Sequence, residues 1–323
     1  YQPYPASNRP PRVLLLFLRD YLWPFKKTFG FSIFFQSLVA TVQIFLIWYF
    51  GRLVVLMTEA TPSEFWDNHW VELALVTGFI LLIRPLIETL STLLLNNTIL
   101  PNVGTLVRYR AHRHVLGQSV GWFENDFAGR IANRIMQTPP ATGEFVYQLI
   151  DAVTYSFVYL IGAFFLLGES DPRLMIPLAI WTGLYFALVV WTVRRVSPAS
   201  AAASNARSAV TGRVVDSYTN IHAVKMFSQN DQELTYGVEA IEEARVTFQK
   251  EMRLFTTMEF GLILLDGFLV VSVVGWGVYL WSIGSADVGL VAAGAALTLR
   301  MSGMSHWIMW ALTTLFREMG VIR

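Results

Sequence analysis

The sequence predicts an all-α membrane protein with six transmembrane helices that extend far into the cytosol. Hydrophobic residues make up 54% of the 323 residues, charged residues only 15%, and the mean hydropathy is +0.47. The apolar residues fall into six stretches, each near or above the ~20 residues that a helix needs to cross a bilayer. These stretches are apolar on every face, which excludes the alternating strands of an outer-membrane barrel. The predicted spans are residues 31–57, 71–95, 145–167, 174–193, 260–281 and 288–311.

The connections between the spans alternate between short and long. The second and fourth connections cover about residues 97–144 and 197–255, and both mix apolar and charged residues at helical spacing. We therefore expect spans two to five to continue as helices beyond the membrane, where ~20 extra residues would project on the order of 30 Å. Residues 1–30 are expected to form a cytosolic N-terminus, and residues 31–323 the six-helix domain.

The distribution of basic residues predicts the orientation, because Lys and Arg near span ends tend to stay in the cytoplasm. Basic residues precede the first span and fill the second and fourth connections, whereas the first connection carries Glu59, Glu64 and Asp67 without any Lys or Arg. Arg173 in the third connection is an exception. Both termini are therefore predicted to be cytoplasmic. A bacterial inner (plasma) membrane is the expected location.

Several classes of function find no support in the composition. The net charge of +1 gives no indication of a nucleic-acid partner, and the absence of cysteine rules out disulfides and thiol-ligated metals. No metal site is predicted, since His112 and His114 lie on different faces of a helix. No catalytic residue is predicted either, because the serines within the spans lack a His and an acid arranged near them.

The two long connections carry aromatic residues at their midpoints. Residues 119–129 read SVGWFENDFAG, and residues 215–227 read VDSYTNIHAVKMF. Aromatic residues at the exposed end of a helical hairpin need something to cover them. Two interpretations are open: they pack on their own helical stalk, or they insert into pockets of a cytosolic partner whose movement the helices transmit to the membrane.

These segments resemble the coupling loops of the transmembrane domain of a type IV ABC exporter, the class of multidrug and lipid exporters. The resemblance rests on RAHRHVLGQSVGWFENDFAGRI at 110–131, on GRVVDSYTNIHAVKMF at 212–227, and on a short amphipathic segment at 12–25 that resembles the family's elbow helix. It implies the type IV transmembrane fold and contacts with nucleotide-binding domains. The residues implied to couple to those domains are Trp122, Phe123, Asn125, Asp126, Asp216, Tyr218, Thr219 and Asn220. The family often has Glu where this chain has Asp216.

The resemblance also implies partners that this sequence does not contain. No G-x-x-x-x-G-K-[ST] phosphate loop occurs in the 323 residues, so we expect this chain alone not to be an ATPase. A nucleotide-binding domain, with ATP and Mg²⁺, is expected after residue 323 or on a separate chain. A second transmembrane domain is expected as well, in a homodimer that exchanges spans four and five, with membrane lipid around it.

Ionisable residues within the spans form the candidate substrate site, because charges at bilayer depth are costly unless they are paired or hydrated. Arg84 and Glu88 are one helical turn apart in span two, and Asp266 and Arg300 lie in spans five and six. Two interpretations are open. The four charges could form two closed pairs that lock the bundle, or they could line a water-filled cavity that binds a polar or zwitterionic substrate. Gln43 and His306 are predicted to join the site.

The predicted function is the membrane-spanning subunit of an ATP-driven exporter that moves an amphipathic, lipid-like or drug-like substrate by alternating access. One alternative is an ion-coupled secondary transporter with Asp266 or Glu88 as proton carrier, although Pro85 has no matching interruption in the other half of the chain. The other is a channel or receptor whose long loops bind a partner without a transport ATPase.

Overall fold

The computed structural model describes residues 14–121, 128–226 and 230–322, and within those ranges the chain is helical apart from short turns, with no β-strand. The helices are α1 (Leu14–Leu22), α2 (Lys26–Glu59), α3 (Pro62–Gly78), α4 (Arg84–Thr92), α5 (Leu100–Leu116), α6 (Ala128–Gln148), α7 (Tyr155–Ser170), α8 (Met175–Thr219), α9 (Ile221–Met226), α10 (Asn230–Ser282) and α11 (Val288–Ile322).

Three π-helical segments join neighbouring α-helices into longer rods. They are Phe79–Ile83 between α3 and α4, Leu93–Ile99 between α4 and α5, and Leu149–Thr154 between α6 and α7. A π turn holds more residues than an α turn and therefore changes the direction of the side chains that follow it, which is why such turns are frequent at functional sites.

Six of the resulting helices are long and apolar enough to cross a membrane. They are Trp23–Glu59, Ser63–Leu116, Ile135–Glu169, Pro172–Thr219, Leu234–Ser282 and Val288–Met319. Each predicted span lies within one of these helices, and the second to fifth helices continue well beyond the predicted spans. The predicted all-α membrane fold is therefore confirmed.

The short turns between these helices are closed by local hydrogen bonds. At the start of α3 the Thr61 amide donates to the Glu64 carboxylate at 3.1 Å, which forms a capping box. At the end of α10, Gly284 adopts a φ of 71° that favours glycine. The amide of Ser285 donates to Leu280 O at 2.9 Å, and that of Gly284 donates to Trp281 O at 3.0 Å. Together these bonds form a Schellman motif, which ends α10 sharply before α11 begins.

The chain divides into two units: Tyr1–Ala179 with Leu269–Arg323, and Ile180–Phe268. In the first unit α2 is central, because it packs against α4, α7 and α11. Small residues allow α2 and α11 to approach closely: a Cβ on Gly51 would lie 2.8 Å from Ala293 Cβ and 2.9 Å from Gly289 O.

The second unit consists mainly of residues 180–219 of α8 and 230–268 of α10, which run antiparallel. Ser200 Oγ donates to the buried Glu251 carboxylate, and farther along the pair the Arg213 guanidinium carbon lies 4.1 Å from the centre of the Tyr236 ring. Arg213 Nη1 also donates to Tyr236 O. These cross-links tie the two helices together over a long distance, up to the turn that contains α9.

Residues 14–25 of the predicted elbow segment form α1 and a 3₁₀ turn, Trp23–Phe25, and residues 12 and 13 lie outside the described residues. Arg110 on α5 is only 6% exposed, and its Nη1 donates to Tyr21 O at 3.2 Å. Its guanidinium carbon lies 5.2 Å from the centre of the Tyr21 ring. An apolar cluster surrounds this contact and includes Leu18, Tyr21, Leu22, Leu95, Ile99, Val103, Val107, Phe145, Val146, Ile150 and Leu315.

Candidate functional site

A cavity of about 480 Å³ in the first unit brings together four of the six side chains that the sequence predicted for a substrate site. These four are Gln43, Arg84, Glu88 and Arg300. The cavity lies between helices α2, α4, α7 and α11 and the π-helical segment that precedes α7. Its lining consists of Gln36, Val39, Gln43, Arg84, Glu88, Asp151, Tyr155, Arg300, Gly303, Met304 and Trp307.

Arg84 and Glu88 form the ion pair that their spacing predicted. Arg84 Nε lies 3.0 Å from Glu88 Oε1, across one turn of α4. The two side chains are 33% and 44% exposed in the isolated chain. Arg84 and Glu88 therefore form a closed pair, as the first interpretation expects, and they also line the cavity, as the second expects.

Prolines explain two of the irregular turns in span two. Pro85 has no N–H group, so the hydrogen bond to residue 81 that a regular α-helix would contain is missing. Residue 81 lies within the π-helical segment Phe79–Ile83. Pro101 follows Leu93–Ile99 in the same way. The interruption predicted from Pro85 is therefore a π turn. It lies directly before Arg84, which lines the cavity.

Asp151 is the charged cavity residue that the sequence reasoning missed. Its carboxylate Oδ1 accepts a hydrogen bond from Gln36 Nε2 at 2.7 Å, and the same amide group donates to Asp151 O at 3.1 Å. Ser91 Oγ donates to Gln36 Oε1 at 2.7 Å. Gln36 thereby connects α4 to the π-helical segment Leu149–Thr154. The available signal was a single acid within an apolar run, the criterion that had identified Asp266.

This polar network also borders a second, smaller cavity of about 230 Å³. Gln36, Glu88 and Asp151 line both cavities. Ser91 and Tyr147 line only the smaller one. The hydrogen bonds of Gln36 therefore fix the polar wall between the two cavities.

One face of α11 supplies the opposite wall. Arg300, Gly303, Met304 and Trp307 follow one another at intervals of three and four residues, which places them on a single helix face. The Trp307 ring meets the Tyr155 ring edge to face, with 6.0 Å between their centres. Arg300 interacts with Tyr155 and forms no ion pair with a carboxylate among the described residues of its own unit.

Two predicted residues do not line this cavity. His306 points away from the α11 face that lines it and is exposed, with its Nδ1 3.3 Å from Ser305 Oγ. Asp266 belongs to the second unit, where it is 5% exposed and interacts with Tyr185. The expected pairing of Asp266 with Arg300 stays a prediction.

The predicted coupling residues fall in two regions. Trp122, Phe123, Asn125 and Asp126 lie outside the described residues, as does the side chain of Asp216. Tyr218, Thr219 and Asn220 lie where α8 ends. Tyr218 is 72% exposed, Thr219 Oγ1 donates to Val215 O at 2.8 Å, and Asn220 O accepts the Val224 amide at 3.1 Å. The end of the second unit therefore presents a free aromatic side chain.

The chemistry available in the cavity is that of noncovalent binding. Two guanidinium groups, two carboxylates and two primary amides lie beside Tyr155, Met304 and Trp307. Among the described residues no three His, Asp or Glu side chains are grouped so that they could hold a metal ion. A ligand with a polar head and an apolar body can meet both kinds of surface.

Comparison with known proteins places this arrangement in a family. Residues 29–304 match the family described as the ABC transporter transmembrane region. An uncharacterized ABC transporter ATP-binding protein of Haemophilus influenzae is 29% identical over 322 residues, which are 99% of this chain and 52% of the relative. A bacterial Atm1-family ABC exporter, solved with ATP bound, aligns with a TM-score of 0.70 at 14% identity, over 92% of this chain and 53% of that one.

The chain thus spans about half the length of the relative and of the structural neighbour. The structural alignment confirms the type IV exporter fold that the coupling segments and the six spans predicted. Because the family match extends over most of the sequence, the chain belongs to the family of ABC transporter transmembrane regions.

Proposed function

We propose that this chain is the membrane-spanning part of an ATP-driven exporter that moves an amphipathic substrate by alternating access. The observation that carries this proposal is the cavity at bilayer depth that combines charged, amide and aromatic side chains. Ionisable groups are costly in hydrocarbon and mark transport pathways when they face a water-filled space. An amphiphile is the class of substrate that uses both the charged groups and the aromatic wall.

Energy for transport would come from nucleotide-binding domains outside these 323 residues. The 323 residues contain no G-x-x-x-x-G-K-[ST] motif, and ATP and Mg²⁺ are proposed to bind to those other domains. The role of this chain is then to receive their movement. Tyr218, Thr219 and Asn220 are proposed to contact them, together with Trp122, Phe123, Asn125, Asp126 and Asp216.

The second unit is suited to transmit such a movement. Helices α8 and α10 are 45 and 53 residues long, and they are cross-linked by Ser200 with Glu251 and by Arg213 with Tyr236. We propose that two long helices tied at two levels move together as a rigid lever. The exposed Tyr218 at its end is the proposed point of attachment.

We further propose that two copies of the chain form a homodimer in a bacterial inner membrane, with both termini in the cytoplasm and lipid around the spans. The unit Ile180–Phe268 contains most of span four, the beginning of span five and the connection between them. A separate unit built from these segments favours an exchange of spans four and five between subunits. Gln43, Arg84, Glu88 and Arg300 would bind the substrate from within one copy, and Asp266 and His306 are proposed to complete the path.

The test is the substrate-stimulated ATPase activity of the complete transporter in liposomes. Replacing Tyr218 with Ala should abolish the stimulation by amphiphilic substrates, because the lever loses its attachment, while assembly in the membrane stays intact. A matched control is Tyr279→Ala. Tyr279 is also exposed, but it lies near the end of α10, whereas Tyr218 lies at the end of α8, close in sequence to the start of α10. Stimulation that survives in Tyr218→Ala, or that is lost equally in Tyr279→Ala, would contradict the proposed coupling.

A further inference from the structure

We propose that the cavity selects amphiphiles carrying an anionic group, and that Arg300 binds that group. This inference rests on the proposed export function and specifies its substrate class. It follows from a comparison of the partners that the charged side chains around the cavity already have. The relevant groups are Arg84, Glu88, Asp151 and Arg300, the four charged residues of the lining.

Two of these four charges neutralise each other, and a third is held by a neutral amide. The Arg84 guanidinium and the Glu88 carboxylate neutralise each other at 3.0 Å. The Asp151 carboxylate accepts from Gln36 Nε2 at 2.7 Å, and Gln36 is itself held by Ser91. Arg300 contacts the neutral side chain of Tyr155 but no carboxylate among the described residues of its unit. Gln36 is neutral and does not cancel the charge of Asp151, but Asp151 is only partly exposed, whereas Arg300 is exposed. The most accessible charge without a partner of opposite sign is therefore positive.

The position of Arg300 suits a ligand with an apolar body. Arg300, Met304 and Trp307 lie on one face of α11, so an anionic group at Arg300 would leave the rest of the ligand along the thioether and the indole. Thioether and aromatic surfaces adapt to varied apolar shapes. A guanidinium group offers several donors in one plane and therefore suits carboxylate, phosphate and sulfate groups alike.

A cationic amphiphile finds a less favourable site. The Glu88 carboxylate is already paired with Arg84, and the Asp151 carboxylate is held by Gln36. The Asp151 carboxylate can still attract a cation, because Gln36 is neutral and occupies only part of its acceptor capacity. That carboxylate is less exposed than Arg300, however, and Arg300 would repel the cation. A zwitterionic amphiphile should bind with intermediate affinity, because only its anionic part is matched.

The experiment uses the complete transporter and four amphiphiles that carry the same fluorescent acyl chain. One is a two-chain phosphatidylglycerol, one a single-chain carboxylate, one a phosphocholine, and one a trimethylammonium compound. Equilibrium binding is measured in nanodiscs without nucleotide, and ATP-dependent movement is measured in liposomes. We expect both anionic probes to bind about tenfold more tightly than the cationic probe, the difference produced by one charge-assisted hydrogen bond.

Three variants test the role of Arg300. Arg300→Gln should remove the tenfold preference, and Arg300→Lys should retain part of it because the charge remains while the planar donor group is lost. Arg207→Gln is the control, since Arg207 is an exposed residue of the second unit, far along α8 from the predicted span. The tighter of the two anionic probes identifies whether a membrane lipid or a single-chain amphiphile is the better ligand.

The possible results distinguish a failure of this inference from a failure of the proposed export function. Equal affinity for anionic and cationic probes, or a preference that persists in Arg300→Gln, would overturn the role of Arg300 while leaving export intact. A transporter that binds the anionic probes selectively but moves none of the four with ATP would contradict the proposed export function instead.

Discussion

Gln36 and Asp151 are 115 residues apart in the sequence, yet the Gln36 amide donates to both the carboxylate and the main-chain oxygen of Asp151. The bond joins α2 to the π-helical segment before α7. Ser91 extends the network to α4 through the oxygen of the same amide. Three membrane-spanning helices are thus held by one side chain whose three polar contacts are all satisfied, which fixes the wall on which the Arg84–Glu88 pair lies.

The strength of this link can be measured with a double-mutant cycle. Gln36→Ala and Asp151→Ala should each destabilise the protein, and their combination should cost less than the sum of the two. The coupling energy is expected to be about 0.6–1.7 kcal/mol, the range found for hydrogen bonds between membrane helices. Unfolding in mixed micelles measures it. If the stability losses of the two single variants add up to that of the double variant within experimental error, the two side chains do not stabilise each other.

The Arg84–Glu88 pair allows a separate prediction, because both partners are partly exposed. A pair that is open to water contributes at most about 1 kcal/mol. We therefore expect Arg84→Gln and Glu88→Gln to fold with small losses of stability but to change which amphiphiles stimulate the ATPase. The exchanged pair, Arg84→Glu with Glu88→Arg, should restore stability without restoring that selectivity.

Thermal unfolding and a substrate screen distinguish this prediction from the alternative of a locking pair. If the pair serves only to hold the bundle, the single variants should fail to fold, and the exchanged pair should recover both stability and selectivity together.

The six spans and the Arg84–Glu88 pair were predictable because they depend on local order in the sequence. Apolar runs of sufficient length must cross the bilayer, and opposite charges one turn apart on a helix must meet. Asp151 was overlooked because a single acid barely lowers the hydropathy of the surrounding run, and its partner is distant in the sequence. Three-dimensional proximity, rather than any local pattern, identifies it as part of the cavity.

The ion pair between Arg52 and Glu72 is a second contact that the sequence alone did not predict. Arg52 Nε lies 2.9 Å from Glu72 Oε1, and His69 Nδ1 lies 3.6 Å from the second oxygen. Both residues lie near the ends of predicted spans, where charges are common, so neither stands out in the sequence. Their pairing depends on how spans one and two lie together, which the sequence alone does not specify.

Arg110 should be essential for holding the elbow helix α1 on the first unit. Its guanidinium is buried and donates to Tyr21 O, so Arg110→Met would leave that oxygen without this partner and cost about 1–3 kcal/mol. We expect α1 to become accessible to protease, with Arg110→Lys intermediate because it keeps a donor but loses the planar group. Hydrogen exchange of residues 14–22 provides the measurement. Arg108, an exposed arginine on the same helix, supplies the control variant Arg108→Met. Equal protection of α1 in all variants would contradict this role.

The crossing of α2 and α11 provides the last prediction, because it depends on the absence of side chains. A Cβ on Gly289 would lie 2.5 Å from Gly51 O and would overlap Val55 Cγ2. The first of these is a main-chain atom of α2, so the helices would have to move apart rather than a side chain rotate. Gly289→Ala should therefore cost about 1–3 kcal/mol, the usual cost of overpacking. Gly275→Ala is the matched control, since a Cβ there meets nothing within 4 Å.

The same variant tests whether the crossing of α2 and α11 opens during transport. If it does, Gly289→Ala should also raise the basal ATPase activity of the complete transporter. A variant that is destabilised but has unchanged basal activity would show that the contact is purely structural.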